Sequence, residues 1–396
     1  MNQQSLICLE EFLRSQYEFR NNEVKGRVEA RPKSGKAAFK NVNDRLINSL
    51  WRSCSKNSIQ TSPDEIRRLI ESDFVSTYNP FRSYIDGLPA WDGTTDHIQQ
   101  LTDTIKTTNQ SFWAKYLRKW LVATVVCLYK DKAVNQQVLI LMGRQGLGKS
   151  TWLDRLVPKS LNQYYYSGTI EPNNKDTLIH LSECMLINLD ELENMNRKDV
   201  GSFKQIITQG SILVRRPYAR YPENLVRRAS FVGSVNSPRF LNDPTGSRRY
   251  LCFEATKIDH NHKVDIDLVY AQAVNLYLDG FISHLSTEEE KEVMKENEQF
   301  TVETTEMDYL SKYFEVTDET TATDVLTTTE LLHELNKLVG NLIPVNNSSL
   351  QKLGKSLSKS GFTRVKRANV YKHLLLRKEL PAITSHFTFD NIRDQV

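Results

Sequence analysis

Only five cysteines occur in the 396 residues, Cys8, Cys54, Cys127, Cys184 and Cys252, all far apart and none in a C-x-x-C pair. Their scarcity excludes a disulfide framework and a local zinc motif, and points to a reducing compartment. Long apolar runs are also missing. The longest, near residues 121–129, falls well short of the roughly 18–20 residues that span a membrane. The N-terminus carries Glu10 and Glu11 and no basic leader, so no signal peptide is expected and the location is read as cytoplasmic. Nor does one sign of charge dominate. Lysine and arginine number 52 against 48 acids, a net charge of +4, which excludes a histone-like polycation while leaving room for a local basic surface. The apolar share of 39% is enough for a real core, and the length suits roughly two to three domains.

The first forty residues are polar and interrupted by Gly26, Pro32 and Gly35, and read as a basic arm or a small hairpin. Two helices are expected over 41–72, the second capped by Ser62 with Pro63 at its first position. A turn-rich connector then leads to Trp91, and apolar spacing predicts a buried helix over 113–129. From Gln137 to about Phe253, short apolar runs alternate with helical patterns, as in a parallel α/β sheet with strands at 138–142, 185–189, 231–235 and 250–253. The charged stretch 287–299 reads as a solvated surface helix or linker, with Glu288–Lys291 and Glu292–Lys295 pairs. The Thr/Asp/Glu-rich segment 315–329 reads as a domain boundary. Beyond it, helix, helix and hairpin follow in the order of a small winged-helix-like unit. The expected fold class is therefore α/β, with domains at 1–77 (basic arm and helical region), 78–300 and 301–396.

Gly143-Arg144-Gln145-Gly146-Leu147-Gly148-Lys149-Ser150 fits G-x-x-x-x-G-K-[ST] in full, after an apolar strand and before a helical run. Glycines let successive backbone N–H groups wrap a phosphate chain, and Thr151 continues the helix start. Lys149 would reach the β- and γ-phosphates and Ser150 would supply a magnesium ligand. About forty residues on, the apolar run 185–189 ends in Asp190-Glu191. Asp190 can hold the hydration shell of magnesium, and Glu191 can orient and deprotonate water. Asn236 ends a third strand, where its amide could bond the γ-phosphate and the lytic water; it is also a common turn residue before Ser-Pro. Arg248 and Arg249 follow a tight turn and precede a strand, suited to stabilising charge on a transferring phosphoryl group from a neighbouring subunit, or to a plain surface role.

These residues, with Asn79-Pro80-Phe81, Leu88-Pro89-Ala90-Trp91-Asp92-Gly93, Arg216-Pro217-Tyr218 and the run 243–250, resemble the virulence-associated E (VapE-like) ATPases of bacterial mobile elements and phages. That family is related to superfamily III and poxvirus-type replicative helicases. The resemblance covers about residues 78–300. It implies an AAA+-type P-loop NTPase core, a homo-oligomeric ring such as a hexamer, hydrolysis of ATP with Mg2+, and action on DNA during element replication; a 3′–5′ polarity comes from the family alone. Many members carry or neighbour a primase-type module, which this chain is expected not to contain, so a separately encoded primase is an expected partner. Asp265-Ile266-Asp267 reads as a helix start rather than a metal site, and His260 and His262 as a solvated loop.

In the related helicases a hairpin in this interval enters the ring's pore. Here Arg215, Arg216, Tyr218 and Arg220, with Lys204 before them, suit a single-stranded backbone with base stacking, or equally a subunit interface. Between Gln351 and Leu380 nine residues are basic and one is acidic. Lys352, Lys355 and Lys359 share a helical face, and Arg364, Lys366 and Arg367 lie on the expected wing. Such a patch would neutralise phosphates of single-stranded or forked DNA, unless it is a solvated face. The combined reading is an ATP-dependent DNA helicase or translocase; the alternative is a DNA-bound ATPase switch that assembles a replication or defence complex without unwinding.

Overall fold

A computed structural model of the protein describes residues 3–171, 174–189, 197–217, 219–241, 247–302 and 305–378, excepting the side chains at 197–200 and 359. It is mixed α/β, and the chain divides after Thr301 into two units.

The first unit opens with helix α1 (Gln3–Gln16), whose Leu9 and Leu13 are buried against later helices. The sequence reading did not anticipate it, because the face is short and its partners lie forty residues away. Strands β1 (Tyr17–Asn22) and β2 (Arg27–Pro32) form an antiparallel hairpin, turning at Gly26 with φ +59°. The short β3 (Lys40–Asn41) and β4 (Thr77–Tyr78) complete a sheet in the order β3-β2-β1-β4. Helices α2 (Asp44–Lys56) and α3 (Pro63–Ile70) pack on it; Ser62 and Glu65 form a reciprocal capping box with Pro63 in the first turn. The hairpin, and no free basic arm, is what forms: Glu18 and Glu29 neutralise it from within. Arg31 pairs with Glu18 at 2.6 Å. Arg20 pairs with the buried Glu29 at 2.6 Å while its guanidinium lies between the rings of Phe39 and Tyr78.

Asn79 caps α4 (Pro80–Asp86), and α5 (His97–Asp103) and β5 (Ile105–Thr107) follow. Helix α6 (Gln110–Tyr129) buries Trp113, Tyr116, Trp120 and their neighbours on nearly every side. The central sheet is built from β6 (Val138–Met142), β7 (Tyr165–Gly168), β8 (Leu186–Leu189), β11 (Ser230–Val235) and β12 (Tyr250–Ile258). Its order is β5-β12-β6-β11-β8-β7, parallel throughout except for β5. Helix α7 (Lys149–Asp154) follows β6, and α8 (Lys175–Glu183) precedes β8. Between β8 and β11 come α9 (Arg197–Thr208) and an antiparallel hairpin of β9 (Ser211–Val214) and β10 (Glu223–Val226).

The strands alternate between two cores, as a sheet covered on both faces requires. Leu139, Leu141, Val232 and Phe253 join Trp113 and Trp152 on one side. Ile140, Ile187, Phe231 and Cys252 join Phe203 and Ile207 on the other. Helix α10 (Ile266–Leu278) packs beside α6, and α11 (Thr287–Glu296) completes the unit. The latter is a surface helix, as expected, rather than a linker. Val293 is fully buried, Glu289 meets Lys119 at 3.0 Å, and Glu292 meets Lys115 at 2.7 Å, so these two acids pair with α6 rather than along their own helix.

The second unit comprises α12 (Thr305–Tyr313), β13 (Phe314–Glu315), β14 (Asp324–Leu326), α13 (Thr328–Leu338), α14 (Asn347–Lys359), β15 (Arg364–Arg367) and β16 (Val370–Arg377). Leu310, Phe314, Leu331, Leu335, Leu353, Leu357 and Leu375 form its core. The segment 315–329 lies inside this unit instead of bounding it. Strands β13 and β14 both pair with β16, and Thr327 caps α13. The β15–β16 turn has Ala368 and Asn369 at positive φ, as a two-residue type I′ hairpin requires. Among the described residues no helix is long and apolar enough to cross a membrane.

Removing one partner of a buried ion pair strands the other. Arg20→Met is therefore expected to destabilise the protein by about 3 kcal/mol in urea unfolding, and adding Glu29→Gln should recover part of that loss. A single variant as stable as the parent would show that the Glu29 carboxylate finds other partners.

Candidate functional site

Strand β6 is buried along its whole length and runs straight into the 143–148 loop. Its neighbour β11 is in parallel register, Met142 opposite Val235, and Gly143 N–H donates to Val235 O. The loop is a backbone-walled cradle. At Gly143 a Cβ atom would lie 2.8 Å from Ala255 O, and at Gly148, with φ +86°, it would lie 2.6 Å from His260 Nδ1. Side chains are excluded at both points, by backbone at Gly143 and by the imidazole of His260 at Gly148. Arg144, Gln145 and Gly146 are exposed at the loop's crest, while Leu147 packs inward against the core.

Lys149 is buried, and its Nζ donates to Gly143 O at 2.7 Å, Arg144 O at 3.0 Å and Asn236 Oδ1 at 2.9 Å. The lysine at the start of α7 and the asparagine at the end of β11 therefore share one point. Ser150 and Thr151 are exposed at the same edge, and Ser150 Oγ lies 3.2 Å from Ser234 Oγ of β11. Ser234 was not singled out in the sequence; only the strand register reveals it.

Strand β8 ends at Leu189, opposite Gly233 of β11. Asp190 and Glu191 follow immediately but lie outside the described residues, as do Tyr218 and residues 242–246. Among the described residues no group of three His, Cys, Asp or Glu side chains could hold a metal ion.

Arg248 and Arg249 sit on a short 3-10 turn, Ser247–Arg249, that leads into β12. The buried Asn297 holds it: Nδ2 donates to Ser247 O and Tyr250 O, both at 2.7 Å. The two arginines differ. Arg248 pairs with Glu290 of α11 at 2.7 Å, whereas the buried Nε of half-buried Arg249 has no hydrogen-bond partner among the described residues.

The β9–β10 hairpin places Arg215, Arg220 and Tyr221 in solvent near its tip, with Arg220 over the Tyr221 ring, and Lys204 lies half-buried on α9. Arg216 is a different matter. Its guanidinium meets Glu183 at 2.6 Å, Glu223 at 2.8 Å and Val24 O at 2.9 Å. Those contacts tie the hairpin to α8 and to the β1–β2 turn, so Arg216 is a structural tie and not an available DNA contact.

The second unit shows a similar redistribution. Lys352 pairs with Glu306, Arg367 with Glu319, Lys372 with Glu330, Arg377 with Asp324 and Glu334, and Lys378 with Glu315. All those acids precede residue 351, so folding neutralises much of the local excess. Lys355, Arg364 and Lys366 stay exposed, without an ion pair among the described residues; Arg364 stacks on Tyr371. The side chain of Lys359 is not among those described.

The loop after β12 also departs from expectation. Half-buried His260 abuts Gly148, and His262 is buried edge-on to Trp152 with neither ring nitrogen hydrogen-bonded among the described residues. Asp265 does start α10, accepting from Asp267 N–H, as read.

The model of the virulence-associated protein E-like domain family matches residues 85–302, more than half of the chain. The chain belongs to this family. The matched span of the VapE-like domain contains the 143–150 loop, the hairpin and the arginine turn. Among solved structures, the apo C-terminal region of NrS-1 aligns over 96% of this chain and 100% of its own length, with a TM-score of 0.50 and 14% identity. Another apo form of that region gives 0.48 and 13%, over 93% and 99%. At such identities the likeness is one of fold. No curated protein matches the chain.

Replacing Asn297 by leucine leaves two carbonyls of the arginine turn unpaired, at a cost of about 1–3 kcal/mol. Hydrogen exchange should show faster exchange at Arg248 to Tyr250 than in distant β6. Unchanged protection there would mean that the turn is held by other contacts.

Proposed function

We propose that this VapE-like protein is a ring-forming ATPase with an AAA+-type P-loop core, working as a DNA helicase or translocase in replication of a mobile element or phage in the cytoplasm. The observation that carries the reading is the three-way contact of Lys149 with Gly143 O, Arg144 O and Asn236 Oδ1. With β11 between β6 and β8, the asparagine stands between the 143–148 loop and the strand whose last described residue is Leu189, and a bound phosphate and a water would both be in its reach.

Bound Mg·ATP would supply the phosphoryl group and a metal charge that offsets it. Gly143 to Thr151 would hold the phosphates, Lys149 exchanging carbonyl contacts for phosphate oxygens. Ser150 and Asp190 would hold Mg2+, directly or through its waters. Glu191 would take the proton of the attacking water, with Asn236 orienting it. Arg249 would reach across a ring interface to the neighbouring subunit's phosphates; Arg248, committed to Glu290, is better placed as a brace. The 302–378 unit supports a winged-helix-like reading, with Lys355 and Lys359 on α14 and Arg364 and Lys366 on the β15–β16 wing as backbone contacts. Lys204, Arg215, Tyr218 and Arg220 remain hairpin contacts to single-stranded DNA. Lys352 and Arg367, already paired, contribute less.

Lys149→Ala should abolish nucleotide binding, while Glu191→Gln keeps binding and slows turnover about 10²–10⁴-fold. Arg249→Ala should be weak alone and regain ATPase activity when mixed with Lys149→Ala in exchanged rings. ATP-dependent strand displacement on forked DNA tests the motor itself. Turnover without displacement would favour the assembly switch, and equal loss of affinity in the Lys149 and Glu191 variants would contradict the division of roles.

On the DNA side, Lys355, Arg364 and Lys366 changed together to glutamine should weaken binding at every sequence. If all three touch phosphates, the slope of log affinity against log salt should fall by about 2–3. An unchanged slope would make them a solvated face.

A further inference from the structure

A cavity of about 970 Å³ lies beside α7. Thr151 and Asp154 of that helix, with Arg155 just after it, form one wall, and His262, Lys263 and Asp265 of the loop after β12 contribute another. It is large enough for a nucleoside, and it adjoins the phosphate loop twice over. Thr151 is the residue after Ser150, and His260, in the same loop as His262, rests against Gly148. Arg155 fixes that loop to the helix by donating to His260 O at 2.5 Å.

We propose that this cavity receives the base and ribose of the nucleotide whose phosphates lie on residues 143–150, and that His262 reads the base. The proposal rests on the phosphate-loop reading above and adds to it the residue that distinguishes a nucleotide from a bare polyphosphate. His262 is 7% exposed, and neither ring nitrogen has a hydrogen-bond partner among the described residues. A buried polar group left unpaired is uncommon and costly. Burial, with Arg155 nearby, holds the imidazole pKa below its usual value, so the ring is neutral at pH 7, with one N–H donor and one lone pair. The edge of a nucleobase carries both donors and acceptors, and so matches a neutral imidazole that lines the cavity. Charge points the same way. Arg155, Lys159 and Lys263 are offset by Asp154, Asp265 and Asp267 around the cavity, which favours a polar, uncharged guest such as a nucleoside over a further polyanion.

The test is equilibrium binding of Mg·ATP and of magnesium tripolyphosphate to the full chain, its His262→Leu variant and its Lys149→Ala variant. Leucine replaces two unpaired polar atoms with apolar volume, so the melting temperature should hold or rise. His262→Leu should weaken ATP about tenfold and leave tripolyphosphate unchanged, whereas Lys149→Ala should weaken both. Equal loss of both ligands, or of neither, in His262→Leu overturns the base-reading role. Insensitivity of both ligands to Lys149→Ala overturns the phosphate-loop reading instead. A second measurement uses the unaltered sequence: the imidazole resonance of His262 should shift with ATP and not with tripolyphosphate. The same response to both ligands, or to neither, would also overturn the proposal.

Discussion

The parallel register of β6 and β11 is the constraint on which the candidate site depends. Because Met142 lies opposite Val235, the residues just past both strands, Gly143 and Asn236, emerge side by side. Lys149 can then touch the carbonyl of one and the amide of the other, and Ser150 can meet Ser234. A slip of one residue would reverse which side chains face each core. Ile140 and Leu141, now in separate clusters, would exchange sides, and Asn236 would leave the loop. Two fully apolar faces thus fix a polar geometry that no polar residue could hold unaided.

The local part of this arrangement was legible in the sequence. The glycine loop, the flanking strand and helix, the Ser62 cap and the strand ending in Asn236 each announce themselves within a window of ten residues. What stayed hidden is non-local pairing. Arg216 looked like a nucleic-acid contact because Glu183, Glu223 and Val24 O are scattered through the chain. The 351–380 window looked nine-to-one basic because Glu306, Glu315, Asp324, Glu330 and Glu334 precede it. Charge counts along a chain overstate a surface field whenever the neutralising acids come from another element. The same reason explains the helix at 287–296, whose Glu289 and Glu292 match Lys119 and Lys115 of α6 rather than lysines one turn away.

The hairpin that precedes β11 brings this point to its sharpest form. Arg227, just after β10, is 1% exposed and has no carboxylate paired with it among the described residues. Burial lowers its pKa to about 10, which still leaves it charged at pH 7. Its NH groups donate to Ile207 O and Asn135 O, and its guanidinium faces the ring of Phe231. Next to it, Arg228 pairs with Asp131 and approaches the last carbonyls of α6, where helix carbonyls welcome a cation. A buried ion without a counter-ion is poor value as stability alone. These contacts, however, join α9, the segment before β6, the foot of β10 and the first residues of β11.

Arg216 adds a tie nearer the tip, so the β9–β10 hairpin is gripped at both ends by guanidinium groups that are not facing solvent. Fixing a two-stranded ribbon in this way matters because such a ribbon has little core of its own. Leu213 and Tyr221 are each 70% exposed, and their exposure cannot be supporting the ribbon. The frame is carried by Ile212, Val214 and Leu225 beneath it and by the two arginines at its ends. Exposed Arg215, Arg220 and Tyr221 are therefore displayed from a rigid base that continues directly into β11 and Asn236. Whatever these side chains touch is thus connected, through the three residues Arg227, Arg228 and Ala229, to the strand that leads into Asn236 and its contact with Lys149.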